Sequence, residues 1–286
     1  MKNYIPRVGL VMKSLNADFF KVMKHDAEEF VRQNGCCELI STGTENQTDV
    51  EGQVALVEQL TDEGVDAIVV VPIDSKAFVA PVVKAVRKGI KVVNIDIRLD
   101  EELLKNEGVK VDFVGPDNYG AAKAVGQILA ESLKKGDKVV MIEGLPVADN
   151  ARQRKAGFDA AIAECKLDCV ASEPANWETS TAKEVFTDLY AKFHEGLKGV
   201  FCCNDAMALG VIDVLKANGL KPGEIKVVGF DNDDVMTPLL KEGWLLATVD
   251  AFGSQMAVEG IKHALELLKE GKNSIGSKAT PFKLVK

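Results

Sequence analysis

The chain has 286 residues, 47% of them hydrophobic, and carries a formal net charge of −8 at pH 7. A chain of this size can fold into about two globular domains, and its acidic balance argues against a nucleic-acid surface, which needs a basic patch. Because it contains no run of roughly 18 or more apolar residues, the sequence predicts no transmembrane helix.

The first part of the chain alternates short apolar runs with amphipathic stretches. The apolar runs are too short for helices and predict buried strands at 7–13, 36–41, 66–72, 90–96 and 111–115. Helices are predicted between them, starting at a cap on Asn16, near 49, at 73–75 and at 116–118. Residues 98–110 form a polar insertion for which no element is predicted.

A second series of the same kind follows. Its predicted strands are 137–143, 167–172, 200–203, 224–230, 245–250 and 282–285. Its predicted helices begin near 149, 180, 205, 233 and 254. This alternation predicts right-handed βαβ crossovers, parallel sheets and two similar α/β halves.

Polar side chains follow most of these strands. The carboxyl ends of parallel strands meet at one edge of a sheet, which is where open α/β folds bind ligands. Carboxylates and amides suit hydroxyl groups, so the set predicts a site for a neutral ligand with many hydroxyls. Taken one at a time, each of these residues is more simply explained as a helix cap. The residues are Lys13, Asp74, Asp96, Asp117, Glu143, Asn204, Asp231 and Asp250.

An arginine and three aromatic residues favour the ligand-binding interpretation. Arg152 lies in the first turn of its predicted helix, where the positive helix end disfavours a cation that lacks a partner. We therefore expect its guanidinium to be a buried, bidentate donor, either to two hydroxyl oxygens or to a carboxylate. Trp177 lies in a polar loop with few apolar neighbours, and Phe19 and Phe20 open the first helix. Rings that cover a ligand whose rim is hydrogen-bonded are the usual arrangement of a sugar pocket.

Catalytic and metal chemistry find little support in the sequence. The histidines at 25, 194 and 263 fall in predicted helices among charged residues and are expected on the surface. Nucleotide-binding and nucleophile motifs are missing, and the cysteines lack the spacing of a zinc site, so no catalytic residue, cofactor or metal is predicted. The cysteines are expected to be buried free thiols, with a local disulfide between Cys165 and Cys169 left open. The six are Cys36, Cys37, Cys165, Cys169, Cys202 and Cys203.

Eight motifs, which are distributed over nearly the whole chain, resemble the motifs of a known family. In chain order they are MKSLNADFF, VVVPIDSKA, VVNIDIRLD, ARQRKAGF, SEPANW, FCCNDAMALG, VVGFD and LATV. With these motifs the chain resembles the ribose- and allose-binding proteins of bacterial ABC importers, which are type I periplasmic binding proteins. The resemblance implies an α/β fold of two Rossmann-like parallel-sheet domains that are joined by a three-segment hinge and close over one monosaccharide. It implies an N-terminal domain of 1–117 plus 251–278 and a C-terminal domain of 118–250 plus 279–286.

The resemblance also implies a set of ligand contacts. Lys13 matches a lysine of the allose-binding branch, and Trp177 is allose-like as well. Asp250, Asp74 and Arg98 are the candidate replacements for polar contacts that are missing here. Ribose-binding proteins carry those contacts at four positions that are apolar in this chain, which favours a hexose, a deoxy sugar, a polyol or a cyclitol over ribose. The four positions are Ala17, Val71, Ile97 and Ala251. The implied ligand contacts are Phe19, Phe20, Asp96, Arg152, Trp177, Asn204, Phe230 and Asp231.

The function implied by the resemblance is the solute-binding component of an ABC importer, which captures a monosaccharide or related polyol and performs no chemistry. Its implied partners are membrane permease subunits, its implied state is a monomer, and its implied location is the periplasm or, as a lipoprotein, the cell surface, in a mature form without signal peptide. The alternatives are a sugar-sensing ectodomain or chemoreceptor partner and a sugar-modifying enzyme. A regulator of the related lactose-repressor family would need a DNA-binding headpiece of roughly 50 to 60 residues before the first strand.

Overall fold

A computed structural model describes residues 4–286 as an alternation of strands and helices. Among these residues, no helix combines the length and the apolar character that crossing a bilayer requires. The elements are β1 (Arg7–Met12), α1 (Asp18–Asn34), β2 (Glu38–Gly43), α2 (Val50–Asp62), β3 (Ala67–Val70), α3 (Val79–Arg87), β4 (Lys91–Ile95), α4 (Glu101–Asn106), β5 (Asp112–Pro116), α5 (Asn118–Glu131), β6 (Lys138–Glu143), α6 (Asp149–Cys165), β7 (Asp168–Pro174), α7 (Thr179–Phe193), β8 (Leu197–Cys202), α8 (Asp205–Ala217), β9 (Lys226–Val228), α9 (Met236–Glu242), β10 (Thr248–Asp250), α10 (Gly253–Glu270), β11 (Lys278–Thr280) and β12 (Lys283–Val285).

The chain divides into two compact units. Unit 1 comprises Met1–Pro116, Val147–Asp149 and Phe252–Thr280, and unit 2 comprises Asp117–Pro146, Asn150–Ala251 and Pro281–Lys286. The bounds predicted from the sequence assign 147–149 to the other half of the chain and differ elsewhere by one or two residues. Residues 147–149 group with unit 1, where Ser75 N–H donates to Val147 O over 3.2 Å and Ser75 Oγ accepts from Asp149 N–H over 2.9 Å. Residues 1–3, which the first predicted domain includes, lie outside the described residues.

The sheet of unit 1 has the strand order β11-β5-β4-β3-β1-β2, and every neighbouring pair is parallel. Helices α1 and α10 pack together and against this sheet. A cluster of fully buried side chains, including Val11, Ile68 and Phe78, joins the sheet to α2 and α3. Strands buried on both faces read as continuous apolar runs, which is why the sequence predicted them.

A buried carboxylate organises one end of this sheet. Asp112, at the start of β5, accepts hydrogen bonds from Ser274 Oγ at 2.6 Å, from the backbone of Ile275 at 2.8 Å and from His263 Nε2 at 2.8 Å. Burial opposes ionisation of Asp112, but these hydrogen bonds outweigh it and lower its pKa. The predicted surface position of His263 is therefore wrong, since this ring is 7% exposed and faces Asp112 from α10.

The main sheet of unit 2 has the order β7-β6-β8-β9 and is parallel throughout, while β10 and β12 form a separate antiparallel pair. Helices α7 and α8 pack against each other. The core includes Phe158, Phe186 and Phe201, all fully buried. Strand β6 ends at Glu143 and β8 at Cys202, and the polar residues described below lie at this edge of the sheet.

The structure adds elements that the sequence did not predict. The polar insertion contains α4, whose start is capped by Asp100 accepting from Leu103 N–H and whose Leu104 is buried. Strand β11 is three residues long and mostly exposed, so it carries no apolar run. Helix α1 begins after Ala17 without a side-chain cap, because Asn16 instead donates to Glu45 O over 2.9 Å.

The six thiols are free, but their burial varies. Cys37, Cys202 and Cys203 are buried, and Cys169 is exposed, contrary to the expectation of uniform burial. The Cys165–Cys169 disulfide that the sequence left open is not formed. Burial raises the pKa of the Cys203 thiol to about 12, so it stays protonated at neutral pH.

Candidate functional site

The polar edge of unit 2 is built around an arginine that the sequence predictions did not include. Arg154 lies on α6, and its side chain is 3% exposed. Its Nε donates to Asn118 Oδ1 over 2.9 Å, and its NH1 donates to Cys203 O over 2.8 Å. The same NH1 lies 3.2 Å from Asp231 Oδ1, which balances the charge. This buried guanidinium is thus fixed on several sides by unit 2 itself.

Two aromatic rings face the Arg154 guanidinium. Its Cζ lies 3.6 Å from the centroid of the fully buried Phe230 ring and 5.5 Å from that of Trp177. A guanidinium plane stacked on an aromatic face combines a cation–π attraction with apolar contact. The arrangement presents planar, hydrogen-bonding and apolar surfaces together, which is the chemistry that a sugar ring requires.

The side chain of Trp177 is buried, with 3% of it exposed. Its polar sequence neighbours suggested that little would cover the ring, and the structure differs from that expectation. The backbone of Trp177 is left-handed, with φ of 71°. The ring lies against the backbone of Gly144, where an added Cβ would be 2.1 Å from Trp177 Cη2. Only glycine at position 144 leaves room for this ring.

The other predicted residues of unit 2 lie at neighbouring strand ends. Asn204 caps α8, its Oδ1 accepting from Met207 N–H over 2.9 Å and its Nδ2 donating to Trp177 O over 3.4 Å. Asp231 follows Phe230 in a left-handed conformation, with φ of 112°. Asp250, at the end of β10, accepts from Asn232 Nδ2 over 3.4 Å. The structure therefore brings Asn204 and Asp231 to the edge where Arg154 lies.

Arg152 is placed differently from the expectation. It is exposed, and its NH1 donates to Pro146 O over 3.0 Å. Residues two apart on a helix point about 200° away from each other, so Arg152 and Arg154 cannot occupy the same face of α6. The buried, forked guanidinium that the sequence assigned to Arg152 is provided by Arg154.

Unit 1 has its own set of predicted residues at the ends of β1 and β4. Lys13 is 4% exposed, and its Nζ lies 5.3 Å from the centroid of the Phe20 ring. The Phe19 and Phe20 rings meet edge to face, 5.0 Å apart and at 85°. An added Cβ on Gly253 would lie 2.2 Å from Phe19 Cε2, so this ring too depends on a glycine.

Asp96 follows β4 with a left-handed backbone, φ being 61°, and its side chain is 3% exposed. The turn that carries it is held by Asn94. The Asn94 Nδ2 donates to Ile97 O over 2.6 Å, and its Oδ1 accepts from Leu99 N–H over 2.9 Å. The conformation of Asp96 is therefore set by a buried amide two residues before it.

Three of the strand-end residues serve the fold. Asp74 accepts from Ala77 N–H over 2.9 Å, and Asp117 accepts from Gly120 N–H over 2.9 Å, as helix and turn caps do. Glu143 pairs with Lys155 at 3.2 Å. Burial acts to lower the pKa of Lys155, but the hydrogen bond to Glu143 and the nearby carboxylates outweigh burial, so the pKa of Lys155 is raised and its ammonium keeps its charge. Within residues 4–286, no group of three or more metal-ligating side chains is assembled.

Known proteins are similar to this chain over more than nine tenths of its length. The D-ribose/D-allose-binding protein of Pseudomonas aeruginosa is 43% identical over 264 residues, which cover 92% of this chain and 82% of that protein. An ABC transporter solute-binding protein from Burkholderia multivorans has a similar structure, with a TM-score of 0.95, 41% identity and coverage of 99% of this chain and 100% of the other. A periplasmic solute-binding protein from Actinobacillus succinogenes with bound D-allose has a TM-score of 0.90, 33% identity and coverage of 98% and 97%.

The match to a family is equally extensive. Residues 8–273 match the model of the periplasmic binding protein domain. The parallel α/β sheets of both units agree with the type I fold of this family, which the sequence motifs implied. The chain is thus a member of the family of periplasmic binding protein domains.

Proposed function

We propose that the protein is the solute-binding component of an ABC importer and binds a neutral monosaccharide or a related polyol. The observation that carries this proposal is the guanidinium of Arg154, stacked on Phe230 and paired with Asp231 at the polar edge of unit 2. A buried cation balanced by its own carboxylate presents N–H donors and acceptor oxygens but little net charge, which suits hydroxyl groups better than phosphates. The names of the relatives, which refer to ribose and allose, support the same ligand class.

The residues take separate roles in this proposal. In unit 2, Arg154 and Asp231 bind ligand hydroxyls, Phe230 and Trp177 cover an apolar face, and Asn204 donates through its amide, since its oxygen already caps α8. In unit 1 the corresponding contacts come from Lys13 and Asp96, with the rings of Phe19 and Phe20 beside them. Arg154 takes the role that the sequence assigned to Arg152, and Asp250 stays a candidate contact.

The proposal extends to partners and place. Membership of a periplasmic family supports a location outside the cytoplasmic membrane, in the periplasm or as a lipoprotein at the cell surface. The names of the relatives support membrane permease subunits as the partners that receive the sugar. We expect a monomer, which sedimentation velocity would test.

A thermal-shift screen followed by isothermal titration tests the ligand class. The panel contains D-allose, D-ribose, another hexose, a 6-deoxyhexose, a pentitol and a cyclitol, with a sugar phosphate and a nucleotide as controls. At about 100 times its Kd, a ligand adds about 2.7 kcal/mol of stability, which should raise Tm by about 5 to 10 °C. If only the phosphorylated compounds raise Tm, the proposal is wrong.

Two alternatives are separated by further measurements. NMR of the tightest-binding sugar after prolonged incubation would show a new product if the protein were an enzyme. A sensor would bind the same sugar but pass the signal to a receptor, so pull-down with the permease subunits of the neighbouring genes distinguishes it from a transport protein. We expect unchanged sugar and permease binding.

A further inference from the structure

Asp205, the first residue of α8, has a fully buried side chain. From the sequence it has no role beyond placing a negative charge in the first helical turn. An exposed carboxylate would interact equally well with the positive end of the helix. Complete burial of an acid is costly, so it calls for a different explanation.

The carboxyl group of Asp205 holds a loop of unit 2. Its Oδ2 accepts from Asp233 N–H over 3.0 Å, and its Oδ1 accepts from the Thr248 hydroxyl over 2.8 Å. The backbone N–H of Asp205 donates to Phe230 O over 2.7 Å. Residues 229–233, here named the 229–233 loop, are therefore fastened to Asp205 at two points.

The backbone of this loop needs such fastening. Asp231 and Asn232 both have left-handed conformations, with φ of 112° and 57°. Residues that carry a side chain adopt conformations of this kind only where the surrounding structure enforces them. Gly229 lies so close that an added Cβ would be 2.0 Å from Asp205 Oδ1, so the loop backbone packs directly on the carboxyl group.

The charge around Asp205 opposes its ionisation. Burial raises its pKa well above the usual range, and the nearby carboxylates of Asp233 and Asp231 add to the shift. The hydrogen bonds from Thr248 and from Asp233 N–H act in the other direction but are weaker. The surroundings of Asp205 thus disfavour the charged form of its carboxyl group.

We propose that Asp205 is a positioning residue of the sugar site, because the loop it holds carries both Phe230, which stacks under Arg154, and Asp231, which pairs with it. The inference rests on the proposed function. Asp205 itself is fully buried and is not proposed as a ligand contact. By holding the loop, it fixes the positions of the Phe230 ring and the Asp231 carboxylate. Because both of these groups contact the Arg154 guanidinium, it also fixes the position of that guanidinium.

Three variants and one control test this role. Asp205→Ala removes both acceptors. Asp205→Asn keeps the shape, and its amide can accept from Asp233 N–H while donating to the Thr248 hydroxyl. Thr248→Val keeps the shape of the threonine and removes one of the two bonds to the carboxyl group, together with the 3.4 Å bond that the Thr248 hydroxyl accepts from Asn232 N–H. Asp213→Ala, at a half-exposed residue of the same helix that pairs with Lys183 at 3.7 Å, is the matched control.

The Kd of the tightest-binding sugar of the panel and the hydrogen exchange of the 229–233 amides are measured for each folded variant well below its Tm. We expect Asp205→Ala to weaken binding at least tenfold and Thr248→Val about threefold to tenfold, with faster exchange in the 229–233 loop. Asp205→Asn should stay within about threefold of the wild type, and Asp213→Ala should not differ from it. A merely structural residue would lower Tm without changing Kd or the exchange of this loop.

The outcomes separate this inference from the proposed function. If the wild type binds no sugar, the proposed function fails, and the hydrogen exchange alone then decides whether Asp205 holds the loop. If the wild type binds and Asp205→Ala binds equally well with an unchanged loop, the positioning role is refuted. Should Asp205→Ala not fold, equal Kd values and equal loop exchange in Thr248→Val and the wild type would refute it.

Discussion

Replacing Arg154 by alanine is the sharpest test of the site, because the chain offers its own control two residues away. Arg154→Ala removes a guanidinium that is 3% exposed, whereas Arg152→Ala removes one that is exposed to solvent. Both changes delete the same side chain from the same helix. Any difference between them therefore reports on the environment of the two side chains.

The expected magnitude follows from the contacts that are lost. Arg154 makes hydrogen bonds of 2.9 and 2.8 Å to Asn118 and Cys203 O, and its removal takes the Arg154 cation away from the Asp231 carboxylate, which is 11% exposed. Breaking a buried charge pair costs about 3 to 5 kcal/mol, and the residual exposure of Asp231 favours the lower end. Truncating a buried, hydrogen-bonded charge at a binding site costs about 2 to 5 kcal/mol, or about 30-fold to 4,000-fold in Kd. Arg152→Ala should change stability by less than about 0.5 kcal/mol and Kd by less than about threefold.

Isothermal titration with the tightest-binding sugar gives Kd, and thermal unfolding followed by circular dichroism gives the stability of each variant. Arg154→Lys, which keeps the charge but not the fork, provides the measurement if the alanine variant does not fold. It should also bind much more weakly than the wild type. The reasoning is refuted if Arg152→Ala loses affinity while the Arg154 variants keep it.

Three further predictions concern the ring, a buried acid and the thiols. Gly144→Ala should displace the Trp177 ring, since the new Cβ would lie 2.1 Å from it; an overpacking cost of about 1 to 3 kcal/mol should lower Tm and weaken sugar binding, and unchanged tryptophan emission and Kd would contradict this. Burial opposes ionisation of Asp112, but the hydrogen bonds it accepts outweigh it and lower its pKa. Its carboxylate therefore stabilises the fold above the unfolded-state pKa of about 3.9, and the contribution is lost as pH falls through the lower folded-state pKa. Tm should accordingly fall less steeply between pH 7 and 2.5 in Asp112→Asn than in the wild type, and parallel curves would count against it. Iodoacetamide at pH 8 should label the exposed Cys169 in the native protein and Cys203, whose pKa is raised by burial to about 12, only after unfolding; mass spectrometry showing equal labelling would overturn this.

The sequence predicted the strands and helices whose apolar residues form a regular pattern and missed those whose residues form none. Continuous apolar runs predicted the central strands of both sheets, and the residues after them predicted polar sheet edges. Helix α4 is held by a single cap and one buried leucine, and β11 is a short edge strand, so neither has a pattern to read. Their positions depend on neighbours that are distant in the sequence.

The helical spacing of apolar residues in the sequence is sufficient to distinguish the buried Arg154 from the exposed Arg152. Ala151, Phe158, Ala161 and Ile162 are the apolar residues of the buried face of α6, and Arg154 falls on the same helical spacing while Arg152 does not. His263 similarly shares the buried face of α10 with Met256, Gly260 and Leu267. In both cases a polar residue on an apolar face indicates a buried partner more strongly than its charged sequence neighbours indicate exposure.

Backbone conformation gives evidence for the site that does not depend on resemblance to any family. Asp96, Trp177 and Asp231 have φ values of 61°, 71° and 112°, a region that side-chain-bearing residues rarely adopt. The strain is maintained by specific partners, namely Asn94 for the turn after β4 and Asp205 for the 229–233 loop. Glycine would relieve it at no steric cost, so a sequence selected for stability alone has no reason to keep an acid or an indole at these positions. The sugar site proposed above would account for these side chains, because each of them would then be kept for its contact with the ligand.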